Sequence, residues 1–380
     1  MIVLGGPGLG FLGGVERHVH DLAVGLRARG HRVCLVHGDA VGRERERYAR
    51  AFDAVAPTRQ ARDLLRDAHV VYLHKLSDEG VTAEMRSGAR LLVAIHDHDA
   101  TCVRRHRYLP LSKAPCSYAP GLHCVCNGCV VVRDRAGLVP VALRDPFALL
   151  RSTRRMSRRA TLVTCSEFLR GTLVNAGVAA DRILVVRPVP PPDATPTCEP
   201  PDDPVLAFVG QIVRGKGLDL LIEAMASLPA ATLLVAGAGP SLVEEKLRAE
   251  RLGVVGRVTF LGPVAPEAVR PIYDRARVVV VPSRWPEPFG MVGIEAMRRR
   301  RIVVAANHGG IPEWLSDGVT GEAFEPCSVA DMVRALRLAS RHPRHEALVA
   351  AAAERANAEF SFDSMLEGVE AVLGLRDERR

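Results

Sequence analysis

The fold is decided by the segment Pro282-Ser283-Arg284-Trp285-Pro286-Glu287-Pro288-Phe289-Gly290-Met291-Val292-Gly293-Ile294-Glu295-Ala296-Met297, in which a turn rich in proline and glycine joins two regular elements. The apolar run 278–281 before it predicts a buried strand, and the pattern from 291 onward predicts a helix. Free backbone N–H groups near the start of such a helix attract phosphate or a polyhydroxyl ligand. Glu287 in the turn and Glu295 in the helix can reach different parts of that ligand. The segment therefore predicts a site for a ligand that carries phosphate and hydroxyl groups.

Length and composition predict a globular protein of two domains. The chain has 380 residues, which is too long for one ordinary core, and 48% of them are hydrophobic. An aromatic content of only 4% disfavours base stacking, so we expect no nucleic-acid partner. The net charge of +8 suits anionic ligands such as nucleotides, and would also suit an acidic membrane surface. The sequence has no recognisable signal peptide and no apolar run of membrane-spanning length, so we expect a cytoplasmic location.

Apolar runs of strand length alternate with helical patterns in both halves of the chain, which predicts parallel sheets covered by helices. In the second half we predict strands at 205–209, 232–236, 257–261, 277–281 and 302–305. The predicted domains are an α/β Rossmann-like domain at 1–190, a proline-rich linker at 191–204, a second Rossmann-like domain at 205–360 and a terminal helix at 361–380 that packs back on the first domain. Residues 97–135 break the alternation and form an irregular, cysteine-rich insert.

A cationic loop follows the strand predicted at 205–209. Arg214 and Lys216 precede the next helix, where both side chains can neutralise a diphosphate leaving group. Lysine is rare in this chain, so its presence in a motif is informative; the lysines are Lys75, Lys113, Lys216 and Lys246. After the following strand, Gly237 permits the close approach of a base or ribose, although such turns also occur for helix packing alone.

Taken together, these motifs resemble the retaining glycosyltransferases of family 4, which have the GT-B fold of two Rossmann-like domains facing each other across a cleft. The resemblance covers essentially the whole chain and is strongest from 205 to 325. It rests on Gly13-Gly14-Val15-Glu16, Arg29-Gly30-His31-Arg32-Val33, Ser166-Glu167-Phe168, Gly210 with Lys216-Gly217, Gly237-Ala238-Gly239-Pro240, Phe260-Leu261-Gly262, the Glu287–Glu295 segment, and Gly309-Gly310-Ile311-Pro312-Glu313 with Asp317-Gly318.

The resemblance implies transfer of a hexose from a UDP-, GDP- or other nucleotide-diphosphate sugar to a glycan, a lipid-linked sugar or a small natural product. It implies front-face transfer with retention and no catalytic metal. In similar enzymes the residues matching Glu287 and Glu295 bind sugar and ribose hydroxyls, the residue matching His96 orients the reacting hydroxyl, and the cation matching Lys216 holds the diphosphate. An arginine is usual at the position of Gln211, and Arg214 can substitute for it at a shifted position. The donor-binding set so implied is Gly13, Gly14, Gly210, Gln211, Gly237, Phe289, Gly290, Met291, Val292 and Glu295.

An alternative interpretation is a nicotinamide-dependent oxidoreductase. The glycine-rich stretch between Gly5 and Gly14 includes Gly8-Leu9-Gly10-Phe11-Leu12-Gly13, which fits the G-x-G-x-x-G pattern, and Asp39 stands where an acid could bind a ribose. The match is loose, because the loop is long and Gly14, not Gly13, adjoins the predicted helix.

The cysteines of the insert predict a structural zinc site. Cys126-Asn127-Gly128-Cys129 has the spacing of a zinc-binding turn, and Cys102 and Cys116 can complete a tetrahedral set, with Cys124 as the spare. Free thiols and an iron–sulfur cluster remain open as alternatives. Asp97-His98-Asp99 imitates an acidic metal motif of another glycosyltransferase fold, and we interpret it as coincidental.

A basic helix is predicted at 143–159, and its arginines are Arg151, Arg154, Arg155, Arg158 and Arg159. Such a run is usually a solvated helix face. It could also rest on anionic lipid at the inner face of the membrane, which would make the protein peripheral there.

Overall fold

Two parallel β-sheets organise the computed structural model of the protein, one in each of two units. The structure describes residues 1–11, 13–75, 81, 83–112, 114–133, 141–192, 198–265, 268–341 and 345–375. Unit 1 combines Met1–Arg105, Ser117–Pro191 and the segment from Phe362 onward, and unit 2 combines His106–Cys116 with Pro192–Ser361. The insert predicted for the first domain is therefore divided, because 106–116 groups with unit 2.

The strands of unit 1 are β1 Ile2–Leu9, β2 Val33–Val41, β3 Ala54–Pro57, β4 Val70–His74, β5 Arg90–Ile95, β6 Val131–Arg133, β7 Val141–Leu143, β8 Thr161–Thr164 and β9 Ile183–Val185. Among the described residues, all but β6 and β7 form a parallel sheet in the order β3-β2-β1-β4-β5-β8-β9. The central strand β4 is buried along its whole length, which explains its continuous apolar sequence. Strands β6 and β7 form a separate antiparallel pair.

The helices of unit 1 are α1 Gly14–Ala28, α2 Arg45–Ala49, α3 Arg62–Asp67, α4 Leu122–Cys126, α5 Pro146–Arg159 and α6 Glu167–Asn175. Local sequence sets where the last two begin. The carboxylate of Asp145 accepts from the backbone N–H of Phe147, with Pro146 in the first turn, and Ser166 Oγ accepts from the N–H of Leu169.

The glycine-rich stretch predicted as a loop from Gly5 to Gly14 is largely a strand. Strand β1 continues to Leu9, and Gly8 pairs with Ala40 in β2. A Cβ at Gly8 would collide with Ala40, so the glycine is needed for the close approach of two backbones. The pattern of glycines was correctly noticed, but its cause is strand packing.

The strands of unit 2 are β10 Val205–Val209, β11 Thr232–Ala236, β12 Val258–Gly262, β13 Val278–Val281, β14 Ile302–Ala306 and β15 Glu322–Phe324. They form a parallel sheet in the order β12-β11-β10-β13-β14-β15. The helices that follow these strands are α7 Leu218–Met225, α8 Leu242–Arg251, α9 Arg270–Arg275, α10 Met291–Arg298, α11 Val329–Ser340 and α12 His345–Ala358. Every strand predicted here is found within one residue of its expected limits, and the prediction of parallel α/β sheets is confirmed.

Arginines hold the end of the predicted linker to unit 2, although 193–197 lie outside the described residues. The Arg301 guanidinium donates to the carbonyl of Cys198 at 3.0 Å, and Arg277 donates to that of Pro201 at 2.9 Å. Arg301 is fully buried, so the segment from Cys198 is an integral part of the unit.

The terminal helix α13, Phe362–Leu373, belongs to unit 1. Glu370 accepts from Arg29 at 2.9 Å and contacts Nε2 of His31 at 2.8 Å. Leu366 packs on Gly25 of α1, where a Cβ would crowd it. No helix among the described residues has both the length and the apolar content needed to cross a membrane.

Candidate functional site

The strand order of unit 2 reverses between β10 and β13, and open α/β sheets bind ligands at such a switch point, beyond the carboxyl ends of the strands. The loop after β10 carries Arg214 and Lys216 in a short 3-10 helix, Arg214–Lys216. The loop after β13 carries Glu287. Two motifs that are distant in sequence are therefore brought to one edge of the sheet.

Glu287 and Lys216 form an ion pair at this edge. Nζ of Lys216 lies 2.6 Å from Oε1 of Glu287. The second carboxylate oxygen, Oε2, accepts from Ser283 Oγ at 2.6 Å and from Trp285 Nε1 at 3.2 Å. Glu287 is only 5% exposed, so three donors compensate for its loss of water.

These contacts keep Glu287 ionised. Burial acts to raise the pKa of the carboxyl, but the charge of Lys216 and the hydrogen bonds from Lys216, Ser283 and Trp285 together hold that pKa below its ordinary value. An anionic carboxylate accepts about four hydrogen bonds, and three are in use. Glu287 can therefore still accept from one hydroxyl group of a ligand.

The two loops fit closely against each other. The backbone N–H of Arg284 donates to the carbonyl of Gly215 at 2.9 Å, and the Arg284 side chain binds Asp219 through Nε at 3.1 Å. Gly217 has a φ of +71°, and a Cβ there would collide with the carbonyl of Pro282. Only glycine suits this position, and its neighbour Lys216 is placed as a result.

Helix α10 starts at this site, as expected. Gly290 precedes it with a φ of +92°, and Met291 and Val292 at its start are partly exposed. Beneath the start lies Trp314, which is fully buried and donates from Nε1 to the carbonyl of Phe289 at 2.6 Å. A Cβ at Gly293 would collide with the Trp314 ring, which therefore supports the first turn from below.

Glu295 lies on α10, one turn beyond its start, and is partly exposed. Its Oε2 accepts from the hydroxyl of Tyr273 in α9 at 2.7 Å. Tyr273 itself is buried, so this hydrogen bond orients the carboxylate.

The loops that follow β10 and β11 cross each other in close backbone contact. The N–H of Gly210 donates to the carbonyl of Ala236, and that of Gly237 donates to the carbonyl of Gly262. A Cβ at Gly237 would collide with Gly210. Gln211 and Arg214 are exposed beside this crossing.

Unit 1 has its own switch point, between β1 and β4, and histidines gather near it. His74 ends β4 and His96 follows β5, with His74 Nδ1 2.8 Å from His96 Nε2. His18 of α1 lies 5.7 Å and 5.6 Å from these two rings, centroid to centroid. Burial is the main reason that the pKa of His18 falls to about 4, that of His96 to about 3, and that of His74 well below its ordinary value.

Several other predicted residues lie in unit 1. Helix α1 begins at Gly14, with Gly13 before it. Asp39 lies within β2 and is exposed, and packing of Gly8 against β2 accounts for part of the glycine spacing on which the oxidoreductase interpretation rests. The acidic residues of Asp97-His98-Asp99 are ion-paired with Lys75, whose Nζ lies 2.6 Å from Asp99 Oδ2.

The cysteines of the insert are the ligands that the sequence predicts for a structural zinc ion. Among the described residues, no three histidine, cysteine or carboxylate side chains are arranged to hold a metal ion. Cys126 is exposed at the end of α4, whereas Cys129 is buried. The zinc set of Cys102, Cys116, Cys126 and Cys129 stays a prediction.

Sequence reasoning missed the residues that hold the site residues in place. These are Ser283 and Trp285 on Glu287, Tyr273 on Glu295, Trp314 under α10, and His18 and His74 around His96. Ser283 and Trp285 had a local signal, since they belong to the same segment as Glu287. His74 had a weaker one, because it follows the apolar run 70–73 as His96 follows the run 91–95.

Two family models match the chain. The model described as Glycosyltransferase Family 4 matches residues 12–189, and the model described as Glycosyl transferases group 1 matches residues 195–356.

Curated relatives match over a shorter stretch. The D-inositol 3-phosphate glycosyltransferase of Mycolicibacterium smegmatis is 38% identical over 169 residues, covering 43% of this chain and 38% of that protein. The protein of the same description from Mycobacterium leprae is 38% identical over 179 residues, covering 45% of this chain and 41% of that protein. The chain thus spans less than half the length of these relatives.

Solved structures match over nearly the whole chain. Anabaena HepE in complex with UDP and glucose has a TM-score of 0.75 at 18% identity, covering 98% of this chain and 99% of that one. Sucrose-phosphate synthase from Thermosynechococcus elongatus has a TM-score of 0.73 at 18% identity, covering 100% of both chains. At such identities the likeness concerns the fold alone, and it confirms the fold class expected from the sequence.

Proposed function

The chain belongs to the family 4 glycosyltransferases, and from that premise we propose that it transfers a sugar from a nucleotide-diphosphate donor to an acceptor nucleophile with retention. The observation that carries the proposal is the ion pair between Lys216 and Glu287 at the switch point of unit 2. A cation beside a carboxylate that can accept from a hydroxyl group suits a ligand in which a sugar is joined to a diphosphate.

The donor is proposed to lie along the carboxyl edge of the unit 2 sheet. Glu287 accepts from a sugar hydroxyl and Glu295 from the ribose. Backbone N–H groups from Phe289 to Val292, at the start of α10, bind the diphosphate. Gly210, Gln211 and Gly237 form the side of the site where two loops cross, leaving backbone surface for the nucleoside.

Lys216 and Arg214 are proposed to stabilise the departing diphosphate. The Lys216 ammonium is held by Glu287 in advance, so little reorganisation is needed when negative charge develops. Arg214 is exposed and takes the role of the arginine that is usual at the position of Gln211. In the front-face reaction the leaving phosphate accepts the proton of the acceptor hydroxyl, so this chemistry calls on no metal ion.

The acceptor is proposed to bind unit 1, near His96 and the start of α1 at Gly13 and Gly14. We propose an acceptor with a reactive hydroxyl, such as a glycan, a lipid-linked sugar or a small natural product. The mycobacterial relatives are described as acting on D-inositol 3-phosphate, which makes that compound a reasonable first acceptor to test.

We also propose peripheral contact with an anionic bilayer through unit 1. Val131 and Leu143 pair across β6 and β7, and their side chains are 45% and 81% exposed. Helix α5 follows β7 in the chain, and its residues Arg155, Arg158 and Arg159 share one exposed face. Exposed apolar side chains together with cations match the chemistry of an acidic lipid surface.

Sedimentation with lipid vesicles tests this contact. We expect binding to phosphatidylglycerol vesicles that exceeds binding to phosphatidylcholine vesicles and falls in Arg155→Glu/Arg158→Glu. Arg251→Glu, on an exposed face of unit 2, is the control and should bind like the parent. Equal sedimentation with both lipids would rule the contact out.

The transfer activity is tested by a panel of UDP-, GDP-, ADP- and TDP-sugars. Thermal stabilisation by one of them identifies the donor. Release of nucleoside diphosphate from that donor should then depend on an added acceptor, beginning with D-inositol 3-phosphate. Stabilisation by none of the nucleotides would refute the proposal.

A further inference from the structure

We propose that His74 sets the tautomer of His96, so that His96 presents a neutral Nδ1–H group as a hydrogen-bond donor. Nothing in the family resemblance assigns a role to His74. The proposal rests on the proposed function in one respect only, which is that the group receiving this hydrogen bond is a substrate hydroxyl. His74 is thus a positioning residue that acts through His96.

The contact is built into the sheet. Strands β4 and β5 are neighbours, and His74 pairs in register with Ala94, two residues before His96. The rings lie nearly parallel, 23° apart, with centroids separated by 5.1 Å. The 2.8 Å distance between Nδ1 of His74 and Nε2 of His96 is a full hydrogen bond, so one of these nitrogens carries the proton and the other accepts it.

The direction of this hydrogen bond follows from the surroundings of Nε2, the other nitrogen of the His74 ring. His74 is 0% exposed, and its Nε2 has no hydrogen-bond partner among the described residues. If His96 donated, neutral His74 would carry its proton on Nε2, leaving a buried N–H without an acceptor. The Tyr72 ring, 4.2 Å away centroid to centroid, is at most a weak acceptor. Buried orphan N–H donors are rarer than under-satisfied acceptors, so donation from His74 Nδ1 is favoured.

Both rings are neutral in this arrangement. His18 is 7% exposed and faces each of them, and Lys75 adds a positive charge near His96, so an imidazolium here would be both desolvated and repelled. Of the carboxylates near this cluster in sequence, Asp97 adjoins His96 but is ion-paired with Lys75, and Glu16 is itself buried, which raises its pKa. Neutral imidazoles are therefore the state in which the pair works at physiological pH.

The consequence for chemistry is specific. With Nε2 accepting from His74, the proton of His96 lies on Nδ1, and His96 has no free lone pair with which to act as a base. It can only donate to the oxygen of a hydroxyl group. His96 is partly exposed, in contrast to His74, so it is the member of the pair that can meet a substrate. This agrees with the proposed front-face reaction, in which the leaving phosphate takes the acceptor proton.

Nitrogen-15 NMR of histidine-labelled full-length protein at pH 7, without any substrate, tests the proposal. We expect His96 to show a protonated Nδ1 and an unprotonated Nε2, with signals assigned through His96→Gln. In His74→Asn the amide nitrogen replaces Nδ1 and should preserve this tautomer. In His74→Leu no donor remains, and His96, whose ring is partly exposed, should populate the Nε2–H form with water as the acceptor.

A protonated Nε2 on His96 in the unsubstituted protein would overturn the proposal, and so would an unchanged tautomer in His74→Leu. A purely structural role of His74 would give that unchanged result. Because the tautomer is measured without substrate, it can stand even if the nucleotide-sugar panel refutes glycosyl transfer. Conversely, transfer activity with an Nε2–H tautomer would leave the proposed function intact and remove only this inference.

Discussion

The ammonium group of Lys216 lies 2.6 Å from Oε1 of Glu287, although the two residues are 71 positions apart in the chain. This contact links the loop after β10 to the loop after β13, which are adjacent strands of the unit 2 sheet. Glu287 is almost completely buried while Lys216 is partly exposed, so the pair presents its cation toward solvent. An exposed cation above a buried anion is the arrangement that suits an anionic ligand.

Breaking this pair should destabilise the protein. Glu287→Gln keeps the shape of the side chain but leaves Lys216 without its anion, and we expect the free energy of unfolding to fall by about 3 kcal/mol. The control is Glu167→Gln, which breaks an exposed pair with Arg170 and should cost less than about 1 kcal/mol. Urea denaturation measures both. Equal effects would mean that burial does not strengthen the pair.

Lys216 should matter for rate beyond its effect on stability. We expect Lys216→Ala to slow nucleoside diphosphate release by on the order of 100-fold, since one preorganised charge next to the leaving group is lost. Lys246→Ala is the matched control, because Lys246 is an exposed lysine of the same unit and lies over the Phe260 ring. The rates are compared at a temperature where circular dichroism shows all proteins folded. Comparable rates for the two variants would remove Lys216 from the catalytic site.

Glu295→Ala should weaken nucleotide binding. Loss of a charged hydrogen-bond acceptor for the ribose predicts a dissociation constant raised roughly 10-fold or more. Tyr273→Phe removes the hydrogen bond that orients the carboxylate and should have a smaller effect. Glu250→Ala, on the exposed face of α8, serves as the control. Isothermal titration with the best nucleotide of the panel gives the constants, and unchanged affinity in Glu295→Ala would reassign the ribose contact.

Stability should depend on pH through Glu245. Burial, with the nearby charge of Asp219, raises the pKa of this carboxyl from 4.5 to about 7. Between these pH values the folded protein keeps a proton that the unfolded chain has lost, so the free energy of unfolding falls as the pH rises. At about 1.4 kcal/mol per pH unit, the total is at most about 3.5 kcal/mol.

Glu245→Gln should remove this slope and raise the free energy of unfolding above pH 7. Glu244→Gln changes an exposed neighbour and should leave the slope in place. The measurement is a series of denaturation curves between pH 4.5 and pH 8. Parallel pH profiles for the parent and Glu245→Gln would contradict the expectation.

Trp314 packs below α10, and this contact predicts how a methyl group added at Gly293 changes stability. Gly293→Ala would press on the Trp314 ring, and we expect a loss of about 1–3 kcal/mol together with weaker nucleotide binding. Gly171→Ala, in α6, meets nothing within 4 Å and should stabilise by about 0.5–1 kcal/mol. Thermal unfolding measures both changes in stability, which should have opposite signs. Stabilisation by Gly293→Ala would show that α10 can move away from Trp314 without cost.

Local pattern was enough to predict five of the six described strands of unit 2, and only the short β15 was not predicted. Strands β10 and β11 have the limits predicted for them, because continuous apolar runs of strand length are the mark of strands buried on both faces. Glu287 and Lys216 were both singled out, since a charged residue in a glycine- or proline-containing turn has few structural reasons to be there. The glycines before α1 were noticed but misread as a loop, because close packing of two strands calls for the same residue as a flexible turn.

What the linear pattern could not reveal is which side chains meet. The direct contact of Lys216 with Glu287 depends on β10 lying beside β13, and the contact of His74 with His96 depends on β4 lying beside β5. The cysteines show the same limit, since their spacing in the sequence does not tell which of them meet. Propensity and periodicity act over a few residues and therefore determine elements. Hydrogen bonds, ion pairs and tautomers depend on atoms a few ångströms apart in space, and only the packed tertiary structure decides those distances.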